Sequence, residues 1–486
     1  MDKKINYKSV RLKAGLELHQ QLNTKHKLFC KCPTEMKAKT NHSAIIRKQH
    51  VVRSELGEAD TAAQFEFLRD RTFHYQIFPE EVCLVCVDEE PPHELNREAL
   101  DIALQVALLL NCETIPTELH VMRKIVIDGS TPMGFQRTVV VGMNGHIGFK
   151  GKRIPITQIT LEEDAGAIVE EKGGNVTFRL NRIGVPLVEI DTGILEGFGP
   201  AELQEIAYII GIMVRSTGKT KQGIGAIRQD MNVSIRNGQR VEVKGIQELS
   251  LLSKVVEFEV QRQMKEHAKP ETRGANQDGT TRFLRPLSGS NRMYPETDIP
   301  PFVISKQHLE ELKKSLPEPL IHKLERFKSK FKLSNSLAEE IMESEYLSLF
   351  EKIMEKVKAD PTIVANTFTS IIKDLVRREK VEINRIYEHR FFELFEHLAD
   401  KKIIKESIPE IIKYLASYPQ DGVSDAVKEL NLRPLTASEV KDIANSILSE
   451  QPNIQFEKLY GIVMSKVRGK IDSQEVMHIV KSLIKK

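Results

Sequence analysis

The chain has 486 residues, of which 40% are hydrophobic and 29% charged, and its 71 Lys and Arg nearly balance its 68 Asp and Glu. This length exceeds a single hydrophobic core, so we expect about two to four domains. The balance of charge excludes a histone-like polycation, and no apolar run approaches the ~20 residues that span a bilayer. The N-terminal segment lacks the apolar stretch of a signal peptide, so a cytoplasmic protein is expected.

The first 300 residues are rich in glycine and in β-branched runs, such as 137–143 and 185–190. Such runs are typical of strands joined by tight turns. Helical periodicity interrupts them at 96–112 and 200–214. The mixture predicts an α+β protein with a large N-terminal mixed α/β domain at 1–304. The proline-rich stretch 295–301 marks its end, because prolines interrupt helices and sheets alike.

From Ser305 onward glycine nearly disappears, and Lys, Glu, Leu and Ile recur at helical spacing. This pattern predicts two all-helical modules, at 305–408 and 409–486. Residues 461–486 are basic, because their Lys and Arg residues outnumber Asp472 and Glu475. They form either a solvated helix face or a surface that binds the phosphates of a nucleic acid.

The cysteines form a CxC pair, Cys30 and Cys32, and a CxxC pair, Cys83 and Cys86, with Cys112 left over. Four thiolates in two tight pairs suit tetrahedral zinc, and such a closed site leaves no open position for chemistry. We therefore expect a structural zinc ion. The alternative of four reduced thiols without metal stays open, because about 50 residues separate the pairs, more than in a usual zinc ribbon.

Acidic residues, in one case with a histidine, lie within apolar or glycine-bearing segments of the N-terminal domain. They are Glu17, His19, the run 162–164, Glu189, Asp191 and Asp230. Glu17 and His19 alternate along a predicted strand, so both point to one face and can reach one cation. Mg²⁺ is usually held by a few carboxylates together with substrate phosphates, so scattered acids of this kind favour an ATP-using enzyme. The alternative is that each acid is an exposed strand residue or a salt-bridge partner.

Ordered motifs in this domain resemble those of the B/E family of tRNA-dependent amidotransferase subunits. They are GLELHQQLNTKHKLFCKC at 15–32, LEEDAG at 161–166, NRIGVPLVEI at 181–190 and RQDMNVSIRNGQRVEVKGIQEL at 228–249. Within the family, the segments 135–138, 241–249 and 292–298 look like the archaeal E-type member rather than the bacterial B-type member. The resemblance covers nearly the whole chain.

The resemblance implies an ATP- and Mg²⁺-dependent enzyme that phosphorylates the γ-carboxylate of glutamate on Glu-tRNA(Gln) and then transfers ammonia to it. The domain at 1–304 would be the catalytic cradle, and 409–486 would bind tRNA. Glu17, His19 and Glu163 would line the Mg²⁺ site, and Glu189 and Asp230 would complete the catalytic set. Cations for the phosphates or the tRNA end would come from Lys27, Arg228, Lys244 or Arg292.

The resemblance also implies partners. An asparaginase-like glutaminase, the D-type partner of the family, would release ammonia from glutamine, and the chain would form a homodimer within a heterotetramer. The chain departs from the family in one respect: an inserted domain, expected between 261–265 and 271–274, is absent. Two alternatives remain open, namely a bacterial B-type protein acting on Asp- or Glu-tRNA and a non-catalytic tRNA-binding assembly factor.

Overall fold

The computed structural model describes residues 5–36, 42–51, 61–223, 225–266, 268–289, 293–342, 344–452 and 454–484. The chain divides into two compact units, one ending at Ile321 and the other beginning at His322. The first unit mixes strands and helices, and the described residues of the second form helices without strands. This arrangement confirms the predicted α+β class. Among the described residues, no helix is both long and apolar enough to cross a bilayer.

The described strands all lie in the first unit. They are β1 (Lys13–Gln21), β2 (Ser43–Arg47), β3 (Thr72–Ile77), β4 (Glu118–Leu119), β5 (Val121–Ile125), β6 (Phe135–Phe149), β7 (Lys152–Glu163), β8 (Ala167–Lys172), β9 (Asn175–Arg179), β10 (Pro186–Thr192), β11 (Leu195–Glu196), β12 (Ile227–Ser234), β13 (Val241–Ile246), β14 (Glu271–Ala275), β15 (Thr281–Pro286), β16 (Met293–Pro295) and β17 (Phe302–Val303).

The helices are shared between the units. They are α1 (Thr61–Leu68), α2 (Arg97–Leu109), α3 (Pro200–Arg215), α4 (Leu249–Lys265), α5 (Lys306–Lys314), α6 (Leu320–Ser329), α7 (Asn335–Met342), α8 (Leu347–Lys356), α9 (Pro361–Asn366), α10 (Ile372–Glu379), α11 (Glu388–Ala399), α12 (Ile408–Ser417), α13 (Val423–Glu429), α14 (Ala437–Glu450), α15 (Phe456–Val467) and α16 (Ser473–Ile484).

The first unit is built on one large sheet with the strand order β15-β14-β13-β12-β1-β10-β7-β6-β5-β16. Successive side chains of β1 point to opposite faces, so Leu16 and Leu18 are buried on one face while Glu17 and His19 lie on the other. Helices α2, α3 and α4 pack on the apolar face and share its hydrophobic core. The sheet therefore has one apolar face covered by helices and one polar face.

Most neighbours in this sheet are antiparallel, but β13 and β14 pair in parallel, from Val241 opposite Glu271 to Lys244 opposite Gly274. Two parallel strands need a crossover connection, and α4 supplies it. The helix ends at Lys265 and β14 begins at Glu271, so the junction after the helix is short.

A smaller sheet, with the order β2-β3-β9-β8, forms a second layer of the first unit. Its core combines the aromatic side chains of Phe73, Tyr75 and Phe178 with Cys30, Cys32 and Cys86. We call this part of the unit the cysteine lobe.

The second unit contains a separate small core formed by α14, α15 and α16. A capping box opens α14: Glu439 Oε2 accepts from the Thr436 backbone N–H at 2.8 Å, and Thr436 Oγ1 accepts from that of Glu439 at 3.3 Å. The proline-rich segment 295–301 lies between β16 and β17, and the chain stays in the first unit until Ile321. The predicted boundaries at 304/305 and 408/409, which separate the N-terminal domain and the two helical modules, stay predictions.

Helix α2 approaches β6 closely because Gly142 has no side chain. A Cβ atom at this position would come within 2.8 Å of the Ala107 Cβ. We expect Gly142→Ala to lower the free energy of unfolding by about 1–3 kcal/mol, the usual cost of overpacking a core. Urea unfolding of the full chain measures it. The matched control is Gly148→Ala on the same strand, where a Cβ would meet nothing within 4 Å. Equal stability of both variants would contradict the close packing.

Candidate active site

The pairing of β1 with its two neighbours brings the predicted acidic residues together. In register with β10, His19 lies opposite Glu189 and Glu17 lies opposite Asp191. In register with β12, Glu17 lies opposite Asp230. Residues directly opposite one another in an antiparallel pair share a face of the sheet. The predicted convergence therefore occurs on the polar face of the large sheet.

One half of this polar face is centred on Glu189. Its carboxylate lies 2.7 Å from His19 Nε2 and accepts from Lys124 Nζ at 3.3 Å. The same ammonium donates to Glu162 Oε1 at 3.1 Å. Glu162 is held further by Thr138 Oγ1 at 3.0 Å. Two buried carboxylates thus share one lysine, and one of them also meets a histidine.

The other half is centred on Asp230, which accepts from the Gly245 backbone N–H at 2.8 Å and pairs with Lys244 Nζ at 3.3 Å. Lys244 also pairs with Glu242 at 2.9 Å. Beside this cluster, Asn232 Nδ2 donates to Glu17 Oε1 at 2.9 Å. The two halves adjoin along β1 because Glu17 and His19 are two residues apart on it.

Among the described side chains that surround Glu17 and His19, the polar face carries more negative than positive groups. Its carboxylates are Glu17, Glu162, Glu189, Asp191, Asp230 and Glu242, and its permanent cations are Lys124, Arg228 and Lys244. Burial, with Glu189 and Glu17 nearby, raises the pKa of Asp191 to about 7. Burial also raises the pKa of Glu17. Because buried carboxylates resist ionisation unless they are compensated, added divalent cations would complete this charge balance.

His19 adds a nitrogen ligand to this face. Burial lowers the pKa of its imidazole, but the contact with Glu189 outweighs burial and raises the pKa overall. In Glu189 burial opposes ionisation, yet Lys124 and His19 hold the pKa of that carboxyl well below its usual range. The buried His19 Nδ1 has no hydrogen-bond partner among the described residues. With Nε2–H donated to Glu189, the Nδ1 lone pair suits a metal ion.

The other predicted Mg²⁺ residue, Glu163, lies elsewhere. Its carboxylate accepts from the Arg137 backbone N–H at 3.2 Å and from Arg137 Nη1 at 3.3 Å. Arg137 is 1% exposed and also donates through Nε to the buried Glu296 at 2.9 Å. Neighbours in a strand point to opposite faces, so Glu162 meets the polar face and Glu163 does not.

The four cations that were predicted to bind phosphate do not all lie on the polar face. Arg228 lies opposite His19 on β12 and remains partly exposed, and Lys244 lies beside Asp230. Lys27, in contrast, is buried in the cysteine lobe, where its Nζ lies 3.6 Å from Cys86 Sγ. Arg292 lies outside the described residues.

The four predicted zinc ligands converge, since the Sγ atoms of Cys30, Cys32, Cys83 and Cys86 all lie within 4.8 Å of one another. Hydrogen bonds among the four thiols divide their ionisation: those from Cys30 and Cys32 lower the pKa of Cys83 and Cys86, whereas those with Cys83 and Cys86 raise the pKa of Cys30 and Cys32. Thiolates are the form that binds zinc, so this donor set fits the ion. In the part of the chain that the structure describes, no other group of His, Cys, Asp or Glu ligand atoms is drawn together so tightly.

Comparison with known proteins gives matches across both units. The profile of the GatB/GatE catalytic domain matches residues 12–310, and that of a GatB domain matches 348–484. The chain belongs to the GatB/GatE family. The E subunits of the glutamyl-tRNA(Gln) amidotransferases of Methanocaldococcus jannaschii and Archaeoglobus fulgidus are 34% and 33% identical to it over 99% of both chains. That of Aeropyrum pernix is 34% identical over 99% of this chain and 98% of its own. These relatives confirm the resemblance seen in the motifs.

The chain is shorter than these GatB/GatE relatives. The alignment with the Methanocaldococcus jannaschii protein runs over 629 positions, whereas this chain has 486 residues. A large part of the relative is therefore not aligned with any residue of this chain. This difference agrees with the prediction that an inserted domain is missing.

For this GatB/GatE polar face, the sequence analysis preferred Glu163 to Glu162 within the acidic run 162–164, and it did not single out Lys124. The choice between Glu162 and Glu163 depends on which residue of β7 meets the polar face, and strand alternation was the available signal. Lys124 gave no signal, because a single lysine in a short strand near the edge of a sheet looks like an ordinary exposed residue.

Metal analysis tests the thiol cluster. We expect purified protein to contain about one equivalent of zinc, as four thiolates bind one ion. Cys83→Ser should lower the melting temperature, because metal binding is coupled to folding. Cys112→Ser is the matched control, since Cys112 lies outside the cluster. Protein purified without chelators that contains no zinc would support four reduced thiols instead.

Proposed function

We propose that this chain is the ATP-dependent component of a tRNA-dependent amidotransferase that converts Glu-tRNA(Gln) into Gln-tRNA(Gln). As an enzyme it would be a glutaminyl-tRNA synthase (glutamine-hydrolysing), a carbon–nitrogen ligase with glutamine as amido donor. The relatives described above are subunits of glutamyl-tRNA(Gln) amidotransferases, which supports this substrate. The observation that carries the proposal is the convergence of Glu17, His19, Glu189 and Asp230 on one face of the sheet.

The chemistry explains why such a face is needed. A carboxylate is a poor acyl donor, so the γ-carboxylate of the esterified glutamate attacks the terminal phosphorus of ATP and forms an acyl phosphate, with ADP leaving. Ammonia then attacks the acyl carbon, phosphate departs, and the amide loses a proton. Phosphoryl transfer needs little covalent help from protein; it needs positioned cations and in-line alignment of the reacting oxygens.

The residues present fit Mg²⁺. Glu17, His19 and Asp230 would hold it, while Glu189 lies at the other nitrogen of His19. Glu162 lies on the same face beside Glu189, whereas Glu163 is held by Arg137. The ion would neutralise the charge of the phosphates. The protein's own part is to fix the ligands: Glu189 orients the His19 ring, and Asn232 orients the Glu17 carboxylate. Glu163 would support this region from the opposite face.

Phosphate contacts are best supplied by Arg228 and Lys244 among the predicted cations, because both lie on the polar face. Arg228 is the stronger choice. Its guanidinium has one long ion pair, 3.9 Å from Asp164, and remains partly exposed, whereas Lys244 is shared between Asp230 and Glu242. A planar guanidinium binds phosphate oxygens with two parallel hydrogen bonds. Lys124 is a third cation on this face.

The ammonia would come from an asparaginase-like glutaminase, the D-type partner, and the chain would act in the cytoplasm as a homodimer within a heterotetramer. Eight relatives, each 31–34% identical to the chain, are all named as E subunits, which supports this partner over the amidase that serves a B-type protein. Recovery of an amidase instead of an asparaginase-like protein in a pull-down would contradict the proposed partner.

The polar face can be tested without any partner by supplying ammonium chloride as the nitrogen source. We expect His19→Ala or Glu189→Gln to reduce ATP-dependent amidation of Glu-tRNA(Gln) at least about a hundredfold, the usual effect of removing one electrostatic interaction with a transition state. The measurement is the rate of Gln-tRNA(Gln) formation at saturating ATP and Mg²⁺.

The matched control is Glu205→Gln, which removes an exposed carboxylate paired with Lys150 on the protein surface. It should keep the wild-type rate. Near-normal amidation by His19→Ala would remove this face from the mechanism.

We further propose that the module at 409–486 binds the tRNA body. Lys466 on α15 and Lys481 on α16 are exposed, and the turn between these helices carries Arg468 at an exposed position and Lys470 at a partly exposed one. Lys485 and Lys486, the last two residues of the basic segment 461–486, lie outside the described residues. The small core of α14–α16 supports these side chains from within, so their charge can be removed without opening that core.

We expect replacement of Lys466, Arg468, Lys470 and Lys481 by Gln to raise the KM for Glu-tRNA(Gln) and to leave the KM for ATP unchanged. The slope of log Kd against log salt should decrease by about 1 for each phosphate that the variant no longer binds. Filter binding over a salt series measures it. An unchanged salt slope would leave these helices as a solvated face.

A second variant controls for net charge. It replaces four lysines that are exposed elsewhere on the chain by Gln, namely Lys8, Lys150, Lys152 and Lys172. Because it removes the same number of positive charges, it should match the wild type in salt slope if tRNA is bound through the last helices.

A further inference from the structure

Lys27 is a buried lysine whose surroundings are unusual for an ammonium group. Its side chain is 1% exposed. Its Nζ donates to the Glu81 backbone carbonyl at 2.7 Å and lies 3.6 Å from Cys86 Sγ, within hydrogen-bond range for sulfur. Lysine is almost never fully buried unless its charge is paired. The burial of Lys27 therefore requires a negative group nearby.

Among the described groups that can carry a negative charge, the Cys86 sulfur is the one to which Nζ itself donates. Glu81 accepts from Nζ through its uncharged backbone carbonyl and also carries a buried carboxylate. Glu163 lies on the same side of the sheet, but Arg137 pairs with it at 3.3 Å and has the larger effect on its ionisation. Four protonated thiols would be neutral and would not compensate an ammonium. Four thiolates around one divalent cation, in contrast, keep a net negative charge, which a buried lysine offsets.

We propose that Lys27 is the charge partner of a zinc–thiolate cluster formed by Cys30, Cys32, Cys83 and Cys86, with its ammonium donating to the Cys86 thiolate. Lys27 is then a positioning residue for the metal and makes no contact with ATP or tRNA. The inference goes beyond the proposed function and does not depend on it, because neither the polar face nor its chemistry enters the argument.

The backbone around Lys27 ties this group to the cluster. The Lys27 N–H donates to the Cys32 carbonyl at 2.9 Å, which closes the loop that carries the first cysteine pair. The next N–H, of Leu28, donates to the Gly184 carbonyl at 2.8 Å, which fixes the loop to the segment before β10. The ammonium thus reaches Cys86, in the second cysteine pair, from a residue anchored beside the first.

The test compares zinc retention in the full-length wild type and in Lys27→Met, which keeps an apolar stem and removes the charge. Competition with a chromophoric chelator measures the zinc affinity. We expect the affinity to fall about 10–100-fold, the usual effect of removing a group that supports a metal ligand. Lys31→Gln is the matched control, because Lys31 is exposed between Cys30 and Cys32 and carries the same charge. It should retain zinc within about threefold of the wild type.

A second readout separates this role from a merely structural one. In the zinc-loaded state Lys27→Met should melt below the wild type, whereas after chelation it should melt at or above it, because the thiols are then free to take up protons and the buried ammonium no longer has its partner. If Lys27→Met does not accumulate, Lys27→Gln replaces it in both measurements. Unchanged zinc affinity, equal destabilisation in both states, or a wild type that binds no zinc would each overturn the proposal.

Discussion

The register of the central strand β1 against β10 and β12 is the constraint on which the rest of the structure depends. Side chains alternate along a strand, so a slip of one residue would turn Glu17 and His19 into the hydrophobic core and expose Leu16 and Leu18. The burial of those leucines beneath α3 therefore fixes the position of the acidic groups. The pairing of β1 therefore decides both which side chains enter the hydrophobic core and which side chains form the candidate site.

Charge compensation is divided between the two faces of the sheet. On the opposite side, Arg137 pairs with Glu163 and Glu296, and Arg123 pairs with Glu296 and Asp298, so each of these carboxylates has an arginine partner. On the polar face, carboxylates outnumber cations among the described side chains around Glu17 and His19, and burial together with the nearby carboxylates keeps the pKa of Asp191 high. Carboxylates that already have arginine partners do not need a further cation, whereas a face with an excess of carboxylates is ready to accept a cationic ligand. Glu162 and Glu163 are neighbours in sequence, but Glu162 lies on the polar face and Glu163 lies in the arginine network on the opposite side.

Much of this arrangement follows from sequence. The α+β class and the paired cysteines follow from local patterns, because alternation and closely spaced thiols have short-range signatures. The meeting of Glu17, His19, Glu189 and Asp230 was expected from the family resemblance, and the pairing of β1 with β10 and β12 produces it. Lys27 and Glu163 show the limit. Each lies within a motif of the polar face, yet each side chain points to the cysteine lobe or to Arg137. Which face a residue meets is set by strand pairing over long separations, and a single sequence does not encode that pairing in any local pattern.

The parallel pair β13–β14 has an evolutionary consequence. Its strands are aligned by the crossover through α4, and the junction from Lys265 to Glu271 lies after the helix rather than within a ladder of hydrogen bonds. Loop closure costs only about 0.6 kcal/mol more for each doubling of loop length, so this junction tolerates very different lengths. A whole module can be gained or lost there between lineages while Asp230 and Lys244 keep their places. The same catalytic sheet can thus be coupled to different accessory surfaces without being redesigned.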